Sequence, residues 1–343
     1  MSAIFHLSHT DLDGYGCQYF TAQCFSDISF YNANYGPEVT AMLESILAKI
    51  QARDCKDVTI LITDLNLTPK ESRWIEEQTT KLGITLQLLD HHASGQSCFE
   101  NFAWYYLDTT RSASQITYDW LQQHYSFDPN NSFLKTAQVI NSVDIWLSNH
   151  PYFELGKVAL SMVSSTKELN KVMFDSSDRA FKLYLIEQIN AFIDRENAHI
   201  AFDDAMHKIK KEFFKNAQND TKDNLVASYV VALIGTQKER LTIECEGKKG
   251  VLVYGVGNSS IIGNRFLLEN EDYDFYMDIS GRGTFSMRSA NRVDVAQLAQ
   301  KIGNGGGHPN ASGGKIENFK NSFIYEEIKA FVEEHIENVS KKI

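Results

Sequence analysis

Short apolar runs alternate with amphipathic ones over the first 125 residues. Residues 4–8, 58–63, 84–89 and 102–107 are nearly continuous apolar runs of strand length, the pattern of strands buried on both faces. Between them, residues 38–53 place Val39, Leu43, Ile46, Leu47 and Ile50 at helical spacing. Residues 69–82 and 113–125 also predict helices, the former with Thr68 as N-cap and Pro69 in its first turn. Strands alternating with helices imply a parallel sheet covered on both faces.

From Lys157 to Ile234 there is no glycine or proline. Inside that stretch, residues 178–215 carry Phe181, Leu185, Ile189, Phe192, Ile193, Ile200 and Met206, predicting one long helix with a single apolar stripe. A coiled-coil dimer competes, but the spacing is irregular. The polar run 216–224 is the linker candidate. Beyond it, residues 225–234, 241–244, 250–256, 273–279 and 283–288 predict short strands. Residues 293–302 predict a helix leading into Gly303-Asn304-Gly305-Gly306-Gly307-His308, and 326–338 a closing helix. The expected organisation is a parallel α/β domain at 1–155, a long helical segment with a linker at 156–224, and a smaller α+β domain at 225–343. A length of 343 residues fits two cores better than one.

The net charge is −11, and residues 1–150 alone carry −9 of it, with 8 Lys+Arg against 17 Asp+Glu. Affinity for long nucleic acid comes from Lys and Arg on phosphates, so this balance counts against such a partner. A local basic pocket for a small anion remains allowed. No apolar stretch approaches the roughly 18 residues of a membrane span. Five cysteines (Cys17, Cys24, Cys55, Cys98, Cys245) without a C-x-x-C pair fit a reducing cytoplasm better than a disulfide framework. Cys17 and Cys24 are expected as buried residues of the first helix.

The acidic excess coincides with candidate chemistry. Asp90-His91-His92 closes the run 84–89, where a buried parallel strand would end and ligands gather. His9-Thr10-Asp11-Leu12-Asp13-Gly14 follows the run 4–8, and its two carboxylates are expected to converge in a loop ended by Gly14. Asp64 follows 58–63, and Asp144 lies within 139–146. Each alone fits a polar turn or a solvated helix residue. Together they form the inventory of a two-metal site, and carboxylates with a minority of imidazole suit manganese or magnesium. His6, His124, His150, His199, His207 and His335 fall outside these motifs and are expected to be structural or on the surface.

The four motifs resemble those of the DHH phosphoesterase superfamily. Gly305-Gly306-Gly307-His308-Pro309-Asn310-Ala311-Ser312-Gly313-Gly314 resembles the glycine-rich motif of its associated C-terminal domain, DHHA1. The resemblance covers nearly the whole chain, in the family's order. It implies one metal on His9, Asp11 and Asp64, and a second on Asp13, Asp64, His91 and Asp144, with Asp64 bridging. It also implies that Asp90 orients a neighbouring imidazole and that His92 faces the scissile phosphate. A single residue between His9 and Asp11 is nearer to RecJ-like exonucleases than to many members with small-nucleotide substrates.

For the C-terminal domain the resemblance assigns substrate binding to Arg288 and to Gly305, Gly306, Gly307 and His308. Glycines let backbone N–H groups approach an anion, and an arginine forks onto phosphate. Asn264 and Arg265, from a loop before Phe266, and Thr109, Thr110, Arg111 and Ser112 are weaker candidates. The implied activity is a two-metal phosphodiesterase cutting short oligonucleotides or dinucleotides to 5′-mononucleotides, or acting on a bisphosphorylated nucleotide such as pAp. Its ions are two manganese, with magnesium as the alternative. Alternatives are a RecJ-like single-strand exonuclease, a cyclic-dinucleotide phosphodiesterase and a nucleotide sensor without turnover. A homodimer is left open.

Overall fold

A computed structural model of the chain describes residues 3–53, 57–216 and 219–341, and Cys55 lies outside them. The chain forms two compact units. The first comprises Met1–Ser165 with Ala180–Ile209, the second Thr166–Arg179 with Lys210–Ile343.

In the first unit, β1 (Ala3–Ser8), α1 (Leu12–Cys24), β2 (Ile28–Asn32), α2 (Pro37–Arg53), β3 (Val58–Thr63), α3 (Pro69–Leu82) and β4 (Thr85–Asp90) alternate along the chain. They are followed by α4 (Gln96–Phe99), β5 (Tyr105–Leu107), α5 (Ala113–Tyr125), α6 (Leu134–Asp144) and α7 (Phe153–Ser164). The five strands are all parallel, in the order β2-β1-β3-β4-β5. Successive side chains alternate between faces. Phe5, Leu7, Ile60, Ile62 and Leu88 pack with Leu43 and Ile46 of α2 and Ile75 of α3. Ile4, Leu61 and Leu89 point the other way, against Ile116 of α5. Each such buried side chain contributes about 1.5–3 kcal/mol. The edge strand β2 is partly exposed and interleaves Ser29 and Asn32 with its aromatics, so it presents no continuous apolar run. The strand order reverses between β1 and β3, which is where ligands collect in open α/β sheets.

Local signals fix the helix starts. The Thr68 side chain and Glu71 form a reciprocal capping box at α3. The expected loop at 11–14 is instead the start of α1, because Asp11 is its N-cap and accepts the Gly14 N–H at 2.9 Å. A Cβ on Gly14 would lie 2.5 Å from the His9 carbonyl oxygen, so glycine allows the helix to begin this close to the end of β1. Cys17 is buried in α1, and Cys24 at its end is half-buried.

The segment after α7 is helical, but it is not one helix. α8 (Lys171–Gln188) runs into a 3-10 turn (Ile189–Ala191), and α9 (Ala198–Phe214) starts afresh. Asn197 takes a left-handed φ of 50° just before it. Phe181, Leu185, Ile189, Phe192 and Ile193 are buried before the break. Phe202 and Ile209 are buried after it, while Ile200 is 53% exposed. A stripe with a period of 3.6 residues cannot keep its phase across such an interruption.

The second unit continues with α10 (Lys222–Gly235), α11 (Lys238–Leu241), β6 (Thr242–Cys245), β7 (Lys248–Tyr254), α12 (Ser259–Glu269), β8 (Phe275–Ile279) and β9 (Thr284–Ser289). It ends with α13 (Val295–Gly303), β10 (Gly306–His308), β11 (Ala311–Lys315) and α14 (Tyr325–Ser340). The mixed sheet has the order β10-β11-β9-β8-β7-β6, and within it only β7 and β8 pair in parallel, across α12. Residues 225–234, expected as a strand, lie in α10. Thr221 Oγ1 accepts the Asn224 N–H at 3.3 Å and starts the helix. Leu225, Val226, Val230, Val231 and Ile234 are then buried within the helix, so packing overrides the strand preference of the valines. The linker candidate 216–224 thus runs into this helix, and Ala217 and Gln218 lie outside the described residues.

Candidate functional site

His9 follows β1, Asp64 follows β3 and Asp90 ends β4, so three segments deliver their side chains at the carboxyl edge of the parallel sheet. Asp13 comes from the first turn of α1, and Asp144 is the last residue of α6. Asp64 adopts a left-handed φ of 56°, a conformation that costs a non-glycine residue about 1–3 kcal/mol and concentrates at functional sites.

His91 Nε2 stands among three carboxylates, 3.4 Å from Asp64 Oδ1, 3.5 Å from Asp144 Oδ2 and 3.8 Å from Asp13 Oδ2. These separations are at or beyond hydrogen-bond length. They suit donors around one ion, since bonds of about 2.0–2.1 Å in an octahedron put neighbouring ligands about 3 Å apart. On the other side, His9 Nδ1 lies 2.9 Å from Asp11 Oδ2 and 3.6 Å from Asp64 Oδ2. Asp64 Oδ2 is buried with no hydrogen-bond partner. A buried carboxylate oxygen without a donor is costly unless a cation serves it.

The donors form three overlapping groups that could hold a metal ion: His9, Asp11 and Asp64; Asp13, His91 and Asp144; and Asp64, His91 and His92. Within each group the donor atoms lie within 4.8 Å of one another, and Asp64 belongs to two of the groups. Asp13 is fixed by the start of α5, accepting the Ala113 N–H at 2.7 Å and the Ser114 N–H at 2.9 Å. The helix N-terminus favours its charged form.

Electrostatics describe the same frustration. Burial raises Asp13 and Asp64 above the usual carboxylate range, with Asp11 adding repulsion to each. Burial and then the Asp13 charge raise Asp144 to about 9. Burial by itself would lower His9, but Asp11 and Asp64 outweigh it and lift the imidazole to about 10. Burial would raise Asp11, yet its hydrogen bond to His9 prevails and brings it to about 2. Crowded, buried carboxylates of this kind are relieved by bound cations.

Asp90 is buried and accepts from His92 Nδ1 at 2.8 Å and from the Tyr105 hydroxyl at 3.2 Å. The far side of His92 meets the Tyr35 hydroxyl, 3.0 Å from Nε2, and the Tyr35 ring lies 4.8 Å from His9. Tyr35 and Tyr105 had no sequence signal. Tyr35 sits in the turn after the unrecognised β2, and Tyr105 lies inside a short strand. Arg111 pairs with Asp108 and Asp119, and Ser112 caps α5, so these two weaker candidates are accounted for locally. His6 of β1 bridges Thr21 of α1 and Thr63 of β3 and is buried.

In the second unit the glycine-rich motif forms a hairpin, not an open loop, with Gly306–His308 pairing antiparallel to Ala311–Lys315. A Cβ on Gly305 would lie 2.1 Å from the Gly313 carbonyl oxygen, so the strands approach only with glycine there. Register then lines up two rows. One is His308, Ala311, Arg288 and Tyr276; the other is Gly306, Gly313, Ser286 and Asp278. Directly paired residues share a face. His308 and Arg288 therefore stand on one face two strands apart, about 10 Å, with Ala311 and the glycines as a floor. Asn264 and Arg265 are helical rather than in a loop, and Arg265 pairs with Glu269.

A model of the DHHA1 domain matches residues 258–341. Over 347 residues the chain is 40% identical to the 3′,5′-cyclic-nucleotide phosphodiesterase of Helicobacter pylori (strain ATCC 700392 / 26695), covering 98% of this chain and all of that protein. Among solved structures, an uncharacterized protein from Helicobacter pylori G27 superposes with a TM-score of 0.91 at 40% identity, over 98% of this chain and 100% of the other.

Proposed function

Since the chain belongs to the DHH/DHHA1 phosphoesterase family, we propose that it is a manganese-dependent phosphodiesterase of small nucleotides. Asp64 carries the reading: it is buried, shared by two donor groups and left with an unsatisfied oxygen. His9, Asp11 and Asp64 would hold one ion, and Asp13, Asp64, His91 and Asp144 the other, with magnesium as the alternative metal. Such ions supply Lewis-acid polarisation of a phosphoryl group and lower the pKa of water. The α5 N-terminus holds Asp13 oriented for this role. Asp90 holds His92 through Nδ1, and Nε2, which meets the Tyr35 hydroxyl at 3.0 Å, would face the phosphate and protonate the leaving oxygen when substrate takes the place of that contact. Attack of water on phosphorus with cleavage of the P–O3′ bond yields a 5′-monophosphate and a 3′-hydroxyl. Arg288 and His308 would bind substrate from the face they share, and Gly305, Gly306 and Gly307 would leave the backbone beside them open to it.

The relative's name puts 3′,5′-cyclic nucleotides first among substrates. Short linear oligonucleotides and dinucleotides stand second, because the acidic first 150 residues disfavour long strands. Incubating the protein with manganese and 3′,5′-cyclic AMP, a dinucleotide, pAp and a cyclic dinucleotide, with products separated by chromatography, tests the reading. Release of 5′-mononucleotide that stops in chelator is expected. No hydrolysis of any of the four overturns it.

A further inference from the structure

Arg288 does not hang free on its strand. Its Nη1 donates to the Met287 carbonyl oxygen at 2.7 Å, and its Nη2 donates to Ser260 Oγ at 2.6 Å. A guanidinium has five N–H donors in a planar fork. Two are used here, and three remain for a ligand. The acceptor Ser260 is in the first turn of α12. That turn is itself anchored. Ser259 Oγ donates to Asp278 Oδ2 at 2.5 Å, and the Val256 N–H donates to Asp278 Oδ1 at 3.3 Å. Asp278 is buried on β8, in the row next to Arg288. The path from buried carboxylate to guanidinium thus runs through two consecutive serines at the entrance of one helix.

We propose that Ser260 is a positioning residue: by accepting from Nη2 it fixes the Arg288 fork, and Asp278 fixes Ser260 through Ser259 and the loop 255–258. This rests on the reading of Arg288 as a substrate-binding residue. A held guanidinium loses less rotamer freedom when an anion binds, a cost of about three- to tenfold in affinity for a long side chain ordered only on binding. The ligand class is a phosphate-bearing nucleotide, which the fork can grip with two parallel hydrogen bonds.

The test is binding of 5′-AMP by calorimetry to the manganese-loaded full chain, together with KM and kcat on the substrate turned over. Ser260→Ala should weaken 5′-AMP and raise KM by about three- to tenfold, with kcat within twofold and manganese content intact. Ser260→Thr, which keeps the acceptor oxygen, should restore affinity. In an Arg288→Ala background, Ser260→Ala should have no further effect, because its target is gone. A structural role would instead lower affinity in both backgrounds. An effect of Ser260→Ala that persists without Arg288, or wild-type affinity in Ser260→Ala while Arg288→Ala binds weakly, overturns the positioning role alone. Unchanged 5′-AMP affinity in Arg288→Ala overturns the reading of Arg288 and the inference with it.

Discussion

Asp64 Oδ1 and His91 Nε2 stand 3.4 Å apart, while the other oxygen of Asp64 faces His9 Nδ1 at 3.6 Å and accepts no hydrogen bond. One carboxylate at the end of β3 thereby touches both halves of the donor set, and the left-handed backbone at Asp64 holds it there. Asp64 is buried at this point, and the charges of Asp11 and Asp13 oppose its own.

Asp64→Asn should therefore act with opposite signs on stability and activity. Neutralising the buried charge relieves repulsion from Asp11 and Asp13, so the chelator-treated variant should melt higher, by about 2–4 °C per kcal/mol relieved. Turnover with manganese should fall by more than the roughly 10–100-fold typical of changes outside the ligand shell. Differential scanning fluorimetry, elemental analysis and turnover read both effects. Near wild-type turnover would refute the shared role.

Metal-free stability should fall as pH rises. Asp144 at about 9 and His9 at about 10 both lie above their ordinary values in the folded state. Such groups contribute stability fully below the unfolded value and lose it as pH passes the folded one. The losses for Asp144 and His9 thus fall between about pH 4 and pH 10. Asp11, at about 2, adds stability above the ordinary carboxylate range and does not change within that interval. Manganese replaces the lost protons, so the rise in Tm on adding metal should be larger at pH 8.5 than at pH 6. A rise that is constant or shrinking over that interval contradicts this electrostatic account.

Tyr105→Phe and Asp90→Asn should leave both ions bound while lowering kcat. The Tyr105 hydroxyl and His92 occupy different oxygens of Asp90, so both changes loosen the same imidazole through its Nδ1 contact. About 10-fold is expected for Tyr105→Phe and up to about 100-fold for Asp90→Asn, the range for partners that orient a site. Loss of manganese in either variant would mean that this pair supports the ligands themselves.

Substrate length gives a further check. Each added nucleotide brings a negative charge towards a chain whose first 150 residues carry −9. Efficiency should fall beyond roughly five nucleotides, near the lower end of the site size of one strand-binding module. Rates on strands of two, five and twenty nucleotides at fixed salt decide it, and a constant or rising rate would favour a RecJ-like exonuclease.

The sequence by itself determined the alternation of β1, β3 and β4 with α2, α3 and α5, because strands buried on both faces and amphipathic helices leave different periodicities. It also marked Asp11, Asp13, Asp64, Asp90, His91, His92 and Asp144, since polar clusters at the ends of apolar runs stand out locally. Whatever depended on partners distant in sequence was not legible. Asp13 is held by Ala113 and Ser114, a hundred residues away. The break at Asn197 and the helical state of 225–234 were set by packing that overrides local preference. The two rows that put His308 and Arg288 on one face follow from strand register, and register is decided by which strands pair. The sharing of Asp64 by two sets of donors was implied at the level of sequence only through the family resemblance. Its physical basis, side chains brought within 4.8 Å of one another, was decided by the tertiary structure, because a distance between side chains leaves no trace in spacing along the chain.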